Sequence, residues 1–152
     1  DATSPLESAL VLSLPEAVEE DEENGLLQAW EIFEDLRLDA ELVVLSACGT
    51  ALGAPVRGEG LVGLERAFQF AGARSVLASL WPVSDQATSR LMERFYRHLK
   101  AGSPRDEALR RAQLAALAET RTGADAVDPA APVHWAAFRL SGVHEAIVRA
   151  EP

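Results

Sequence analysis

Residues 41–53 read ELVVLSACGTALG, and the fold turns on them. Glu41 to Ala47 is a β-branched and apolar run too short for a helix. Its near-continuous hydrophobicity suits a central parallel strand covered on both faces. Cys48 follows at the end of that strand. The segment CGTALGAPVRGEG (48–60) then carries four glycines and a proline, a composition that makes it a loop. The loop leads into a helix expected over Leu61–Ala71, with Leu61, Leu64 and Phe68 as its buried stripe and Gly72 as its stop.

Downstream, SVLASLW (75–81) reads as a second buried strand that Pro82 breaks. Ser84 is placed to cap a helix with Ala87, Leu91, Phe95 and Leu99 on one face. Gly102 ends that helix. Ser103, with Pro104 at the first helical position, starts another that runs through EALRRAQLAALAE (107–119). Arg121 to Pro132 reads as a loop, and WAAFRL (135–140) as a last strand. Upstream, SALVLSL (8–14) suits a short strand ended by Pro15, followed by an acidic run from Glu16 to Glu23 that reads as a solvated loop. From Leu26 to about Leu36, the spacing of Leu26, Trp30 and Phe33 at i, i+4 and i+7 predicts a helix with that face toward the core. The order is strand, helix, strand, helix, strand, two helices, strand. This alternation argues for an α/β sheet, in which functional groups gather at the carboxyl ends of parallel strands.

The 152 residues are 48% hydrophobic, enough for one compact domain. No run approaches the ~18 apolar residues of a membrane span, and no basic leader opens the chain, so a soluble protein is expected. The single cysteine excludes an internal disulfide framework and a cysteine-only zinc site, and favours a reducing, cytoplasmic setting. Neither metal nor cofactor is expected. A formal net charge of -10 argues against nucleic acid, which is bound through Lys and Arg, and makes basic peptides or proteins the more natural ligands. The opening DATSPLES, without an initiator methionine, suggests a cut into something longer.

A cysteine at a strand end is as readily a buried structural residue as a nucleophile. The text around Cys48 decides between them. LVVLSACGTALG (42–53) and GEGLVGLERAFQFAGARSVLASLWPVSDQAT (58–88) resemble the second half of a CHAT domain. The likeness continues through LMERFYRHLKAGSPRDEALRRAQLA (91–115) and PVHWAAFRLSG (132–142), and SPLESALVLS (4–13) resembles the family segment just after its histidine motif. The family takes its name from caspase-like domains found with tetratricopeptide repeats. The resemblance implies a caspase-like three-layer sandwich: a mostly parallel central sheet, helices on both faces, and an antiparallel final strand.

It also implies peptide-bond hydrolysis by a cysteine–histidine dyad through an acyl-enzyme, with Cys48 as nucleophile. The Cys48 backbone N–H would donate to the oxyanion, and Gly49 would let the chain bend away from substrate. In the family the histidine closes a strand ending in His-Gly, shortly before the segment matched by Pro5 and Leu6. No such residue precedes Asp1, and His98, His134 and His144 do not match the motif, so this chain alone is expected to be inactive. His98 and His144 are expected at the surface. An antiparallel last strand would bring His134 to the substrate groove, though a structural role is favoured.

Asp85, in LWPVSD, is either the acid of a pocket for Arg or Lys before the cut, as in relatives of that preference, or a carboxylate supporting the helix N-terminus beside Ser84. Trp81 is read as a pocket wall. The expected partners are a protein or peptide substrate and a repeat-bearing or regulatory protein. A non-catalytic scaffold or signalling module of the same fold is the alternative. An α/β hydrolase is set aside because the chain holds no Gly-x-Ser-x-Gly elbow.

Overall fold

The computed structural model describes residues 8–12, 25–45, 58–119 and 130–147, with 58–60 as backbone only. These residues form two compact units. One is drawn from residues 1–43 and 49–76, the other from 44–48 and 77–152.

In the first unit, β1 (Ala9–Val11) pairs antiparallel with β2 (Leu26–Gln28), Leu10 opposite Leu27. The expected helix over Leu26–Leu36 is therefore corrected. Leu26 to Gln28 are extended, and α1 covers only Ala29–Glu34. The buried face changes with it: Ala29 and Ile32 are fully buried, while Trp30 and Phe33 are 41% and 42% exposed. The i, i+3 pair one residue away from the expected stripe is the one that is buried. Gln28 N–H donates to the Glu31 carboxylate at 2.6 Å, a reach from N3 back to the cap that fixes the helix start. Trp30 Nε1–H donates to Gln28 Oε1.

Helix α2 (Gly58–Phe70) packs on α1 and buries Leu64, Ala67 and Phe68, near the expected stripe, while Leu61 is half-buried. Phe33 and Phe70 stack with ring centroids 3.8 Å apart. Gly72 ends α2 with φ +116°. The N–H groups of Ala73 and Gly72 donate to the carbonyls of Phe68 and Gln69 at 2.9 and 3.1 Å, the paired bonds of a Schellman stop. A parallel bridge joins Ala40 to Ala73 just ahead of the next two strands.

Those strands are β3 (Val43–Leu45) and β4 (Ser75–Ser79), and with β5 (Phe138–Gly142) they form a sheet in the order β3-β4-β5. The sequence marks 41–47 as the central strand. In the described sheet the middle place belongs to β4, whose Ser75, Val76, Leu77 and Ala78 are fully buried, whereas Val43 and Val44 are half-buried. The fold is thus mixed α and β, with two small sheets rather than one that includes β1.

In the second unit, α3 (Asp85–Lys100) buries Leu91 and Phe95, with Leu99 and Ala87 half-buried on the same face. Gly102 repeats the Schellman stop: φ is +86°, and the N–H groups of Ser103 and Gly102 reach His98 and Leu99. Helix α4 (Arg105–Leu117) packs on α3 and buries Ala108, Leu109, Ala112 and Ala116. Pro104 is its N-cap rather than its first helical residue. A single turn, α5 (Pro132–Trp135), precedes β5, so the last strand starts at Phe138 and not at Trp135.

Candidate functional site

The buried strand β4 delivers the chain to an exposed loop. Leu80 N–H donates to the Ala137 carbonyl at 2.8 Å, and Val83 is buried, so the loop is anchored on both sides of Trp81 and Pro82. Ser84 is the N-cap of α3, as its position predicts. Its backbone is extended (φ −62°, ψ 142°), and its Oγ accepts from Ala87 N–H at 3.3 Å. Asp85 is the first residue of the helix and is exposed. A carboxylate there complements the positive end of a 16-residue helix. Its exposure also leaves it within reach of a cationic group from outside.

Trp81 Nε1–H donates to the Val133 carbonyl at 2.8 Å, which ties the loop to α5 while the residue stays 37% exposed. A tryptophan with its N–H satisfied and part of its ring uncovered suits a wall. Next to Val133, His134 lies within α5. Its N–H donates to Ala131 at 3.0 Å, and its Nδ1 is buried without a hydrogen-bond partner among the described residues. His134 also lines a cleft with Gln86, Arg90, Arg94, Glu119 and Trp135.

Cys48 and Gly49 lie outside the described residues; β3 ends at Leu45, three residues before the cysteine. His98 sits half-buried in the last turn of α3. His144 is exposed, as expected, and its carbonyl accepts from Arg105 N–H at 2.9 Å. Among the described residues no group of three or more His, Cys, Asp or Glu side chains could hold a metal ion.

Sequence reasoning passed over two features. Arg105 is 1% exposed, and its signal was a charge in phase with Ala108, Ala112 and Ala116 on the buried face of α4. The cleft residues Gln86, Arg90 and Arg94 carried a weaker signal, because polar residues at i, i+4 and i+8 on a surface helix are ordinary.

No described helix is long and apolar enough to cross a membrane. No solved structure matches the chain. Two curated relatives do: Tetratricopeptide repeat protein 28 of Mus musculus, 38% identical over 112 residues, and the protein of that name from Homo sapiens, 34% identical over 108 residues. Each match covers 71% of this chain but only 4% of the relative. The CHAT domain family model matches residues 1–143, a span that takes in the Cys48 motif, the β4 loop and β5. The chain belongs to the CHAT domain family.

Proposed function

We propose that this chain is the cysteine-bearing part of a peptidase domain that cuts a protein substrate after a basic residue. The observation that carries the reading is the family match over residues 1–143, which spans Cys48, Trp81 and Asp85 together. In this reading the whole domain is a caspase-like three-layer sandwich whose last strand runs antiparallel.

Cys48 is the nucleophile. A thiol with an ordinary pKa of about 8.5 needs a neighbouring base to act near neutrality. That base is a histidine other than His98, His134 and His144, supplied by a His-Gly strand outside these 152 residues. The thiolate attacks the scissile carbonyl carbon, and the Cys48 backbone N–H donates to the oxyanion while Gly49 leaves room for the chain. The histidine passes its proton to the leaving amine, and water then hydrolyses the thioester. Asp85 pairs with the Arg or Lys side chain before the cut, and Trp81 walls the pocket.

The test uses a longer protein that restores the His-Gly segment, assayed on fluorogenic peptides ending in Arg, Lys, Ala or Asp. Cleavage after Arg and Lys is expected, with Cys48→Ala abolishing it and the 152-residue chain giving none. Asp85→Asn should lower kcat/KM for the basic peptides by about tenfold or more, the loss of one charge-assisted contact, without changing folding. Proteolysis that survives Cys48→Ala overturns the mechanism.

A second reading is a non-catalytic interaction module. The names of the matched relatives favour it, since both are called repeat proteins. In either reading the partner is a repeat-bearing or regulatory protein rather than nucleic acid, and the setting is cytoplasmic.

A further inference from the structure

The direction of the Trp81 ring is set by residues away from the loop that carries it. Backbone anchors fix that loop: Leu80 N–H donates to the Ala137 carbonyl at 2.8 Å, and Val83 is buried. They do not fix the ring. Among the described residues one hydrogen bond does so, from Nε1–H to the Val133 carbonyl at 2.8 Å, on a residue that stays partly exposed. The ring therefore follows the position of Val133.

Val133 belongs to α5, a single turn of four residues. So short a helix does not hold itself, because the ordering it requires outweighs its few internal bonds. Its place is set from outside. Gln113, half-buried on α4, donates from Nε2 to the Trp135 carbonyl at 3.1 Å and to the Phe138 carbonyl at 3.3 Å. Two carbonyl oxygens require the amide nitrogen at this point, and its two N–H groups match them one to one. The first acceptor belongs to the last residue of α5 and the second to the first residue of β5. The carboxamide thus bridges the bend at Ala136 and Ala137 and sets the angle between turn and strand. Trp135 Nε1–H reaches back to the Ala130 carbonyl at 3.0 Å and braces the entry to the turn.

We propose that Gln113 is a positioning residue for Trp81. Through α5 it keeps the Val133 carbonyl where the indole N–H meets it, and so holds the ring as a wall of the substrate pocket. The consequence for substrate rests on the peptidase reading. There the wall receives the alkyl stem of the Arg or Lys whose charge meets Asp85. Loosening the wall weakens binding of the basic residue and leaves the attack by Cys48 as it was.

The first measurement needs no substrate. In the ¹⁵N-labelled chain, solvent exchange of the Trp81 indole N–H is compared with that of Trp30, which lies in the other unit. Gln113→Met keeps the bulk but lacks a donor. It should speed Trp81 exchange by about fivefold or more, the effect of one hydrogen bond, and leave Trp30 unchanged. Gln113→Lys, whose ammonium donates to both carbonyls, should restore most of the protection. The second measurement uses the longer protein with the His-Gly segment. Gln113→Met should raise KM for peptides ending in Arg or Lys by about fivefold at unchanged kcat. Trp81→Phe, which removes the indole donor itself, should also raise KM, and adding Gln113→Met to it should raise KM no further. Trp81 exchange that Gln113→Met leaves unchanged overturns the proposal. So does an unchanged KM in an active protein, or a rise in KM that simply adds to that of Trp81→Phe, the mark of a general loss of structure. A longer protein that cleaves no peptide overturns the peptidase reading instead, and the indole exchange still decides whether Gln113 holds Trp81.

Discussion

Arg105 shows how a charge comes to be buried at the start of a helix. Its backbone N–H donates to the His144 carbonyl and its Nη1 to the Glu145 carbonyl, at 2.9 and 3.0 Å. These bonds tie α4 to the segment that follows β5. Arg105→Met keeps most of the volume but removes the donor, and hydrogen bonds from a charged group are worth about 1.5–3 kcal/mol. The variant should lose about 2 kcal/mol in urea unfolding with an unchanged m-value. Arg105→Lys should restore little, because a point ammonium cannot copy the guanidinium fork. A Met variant as stable as the wild type would show that the bonds are replaced by water at no net loss. At Ser84 the hydroxyl holds one helix N–H, so Ser84→Ala should lower stability by ~1 kcal/mol. Asp85→Asn, measured beside it, separates the two roles of that carboxylate: a helix support loses stability, whereas a pocket acid loses only turnover of basic peptides.

The helix stops are the most legible elements in this sequence, and the two glycines differ in what surrounds them. Both adopt positive φ, but a Cβ at Gly72 would run into the Leu38 carbonyl oxygen, whereas among the described residues nothing lies within 4 Å of one at Gly102. Gly72→Ala should therefore cost well over 1 kcal/mol, from backbone strain plus a collision with backbone that cannot turn aside. Gly102→Ala should carry the backbone strain alone, about 1 kcal/mol. Thermal midpoints that place Gly102→Ala below Gly72→Ala would contradict the described packing. Stops and caps were readable because their chemistry is local: Gly72, Ser84 and Gly102 each act on bonds within a few residues. The start of α1 was not, since Leu26, Trp30 and Phe33 mimic a helical stripe. What makes Leu26–Gln28 extended is its pairing with Ala9–Val11, a contact more than a dozen residues away. The choice of β4 over β3 as the middle strand is equally non-local, because both runs read as buried. At the candidate site, the β4 loop and Ser84 were legible from Trp-Pro and the cap. The cleft under α5 was not, because Gln86, Arg90 and Glu119 meet His134 only through the packing of three helices.

At the scale of the whole chain, charge sets the response to solution conditions. Glu107 gives the sign at one residue. A hydrogen bond from Arg111, opposed by desolvation and aided by the charges of Arg110 and Arg111, holds its carboxyl below the ordinary value of 4.5. A depressed folded pKa contributes stability that is complete above 4.5 and is lost as pH falls through the folded value. The difference between wild type and Glu107→Gln should thus be present near neutral pH and vanish in acid. The chain as a whole pushes the other way. With 24 acidic against 14 basic residues its net charge is -10, and such an excess opposes the compact state through self-repulsion. Exposed pairs such as Arg97–Glu93 contribute only ~0–1 kcal/mol each. Raising salt from about 0.01 to about 0.15 M shortens the screening length from about 30 to about 8 Å, which weakens long-range repulsion more than contacts of a few ångströms. Near neutral pH, added sodium chloride should therefore raise the thermal midpoint, by ~2–4 °C if the relief is worth about 1 kcal/mol. A midpoint that falls on adding salt would mean that the ion pairs outweigh the net charge, and Glu107→Gln would then show the smaller fall.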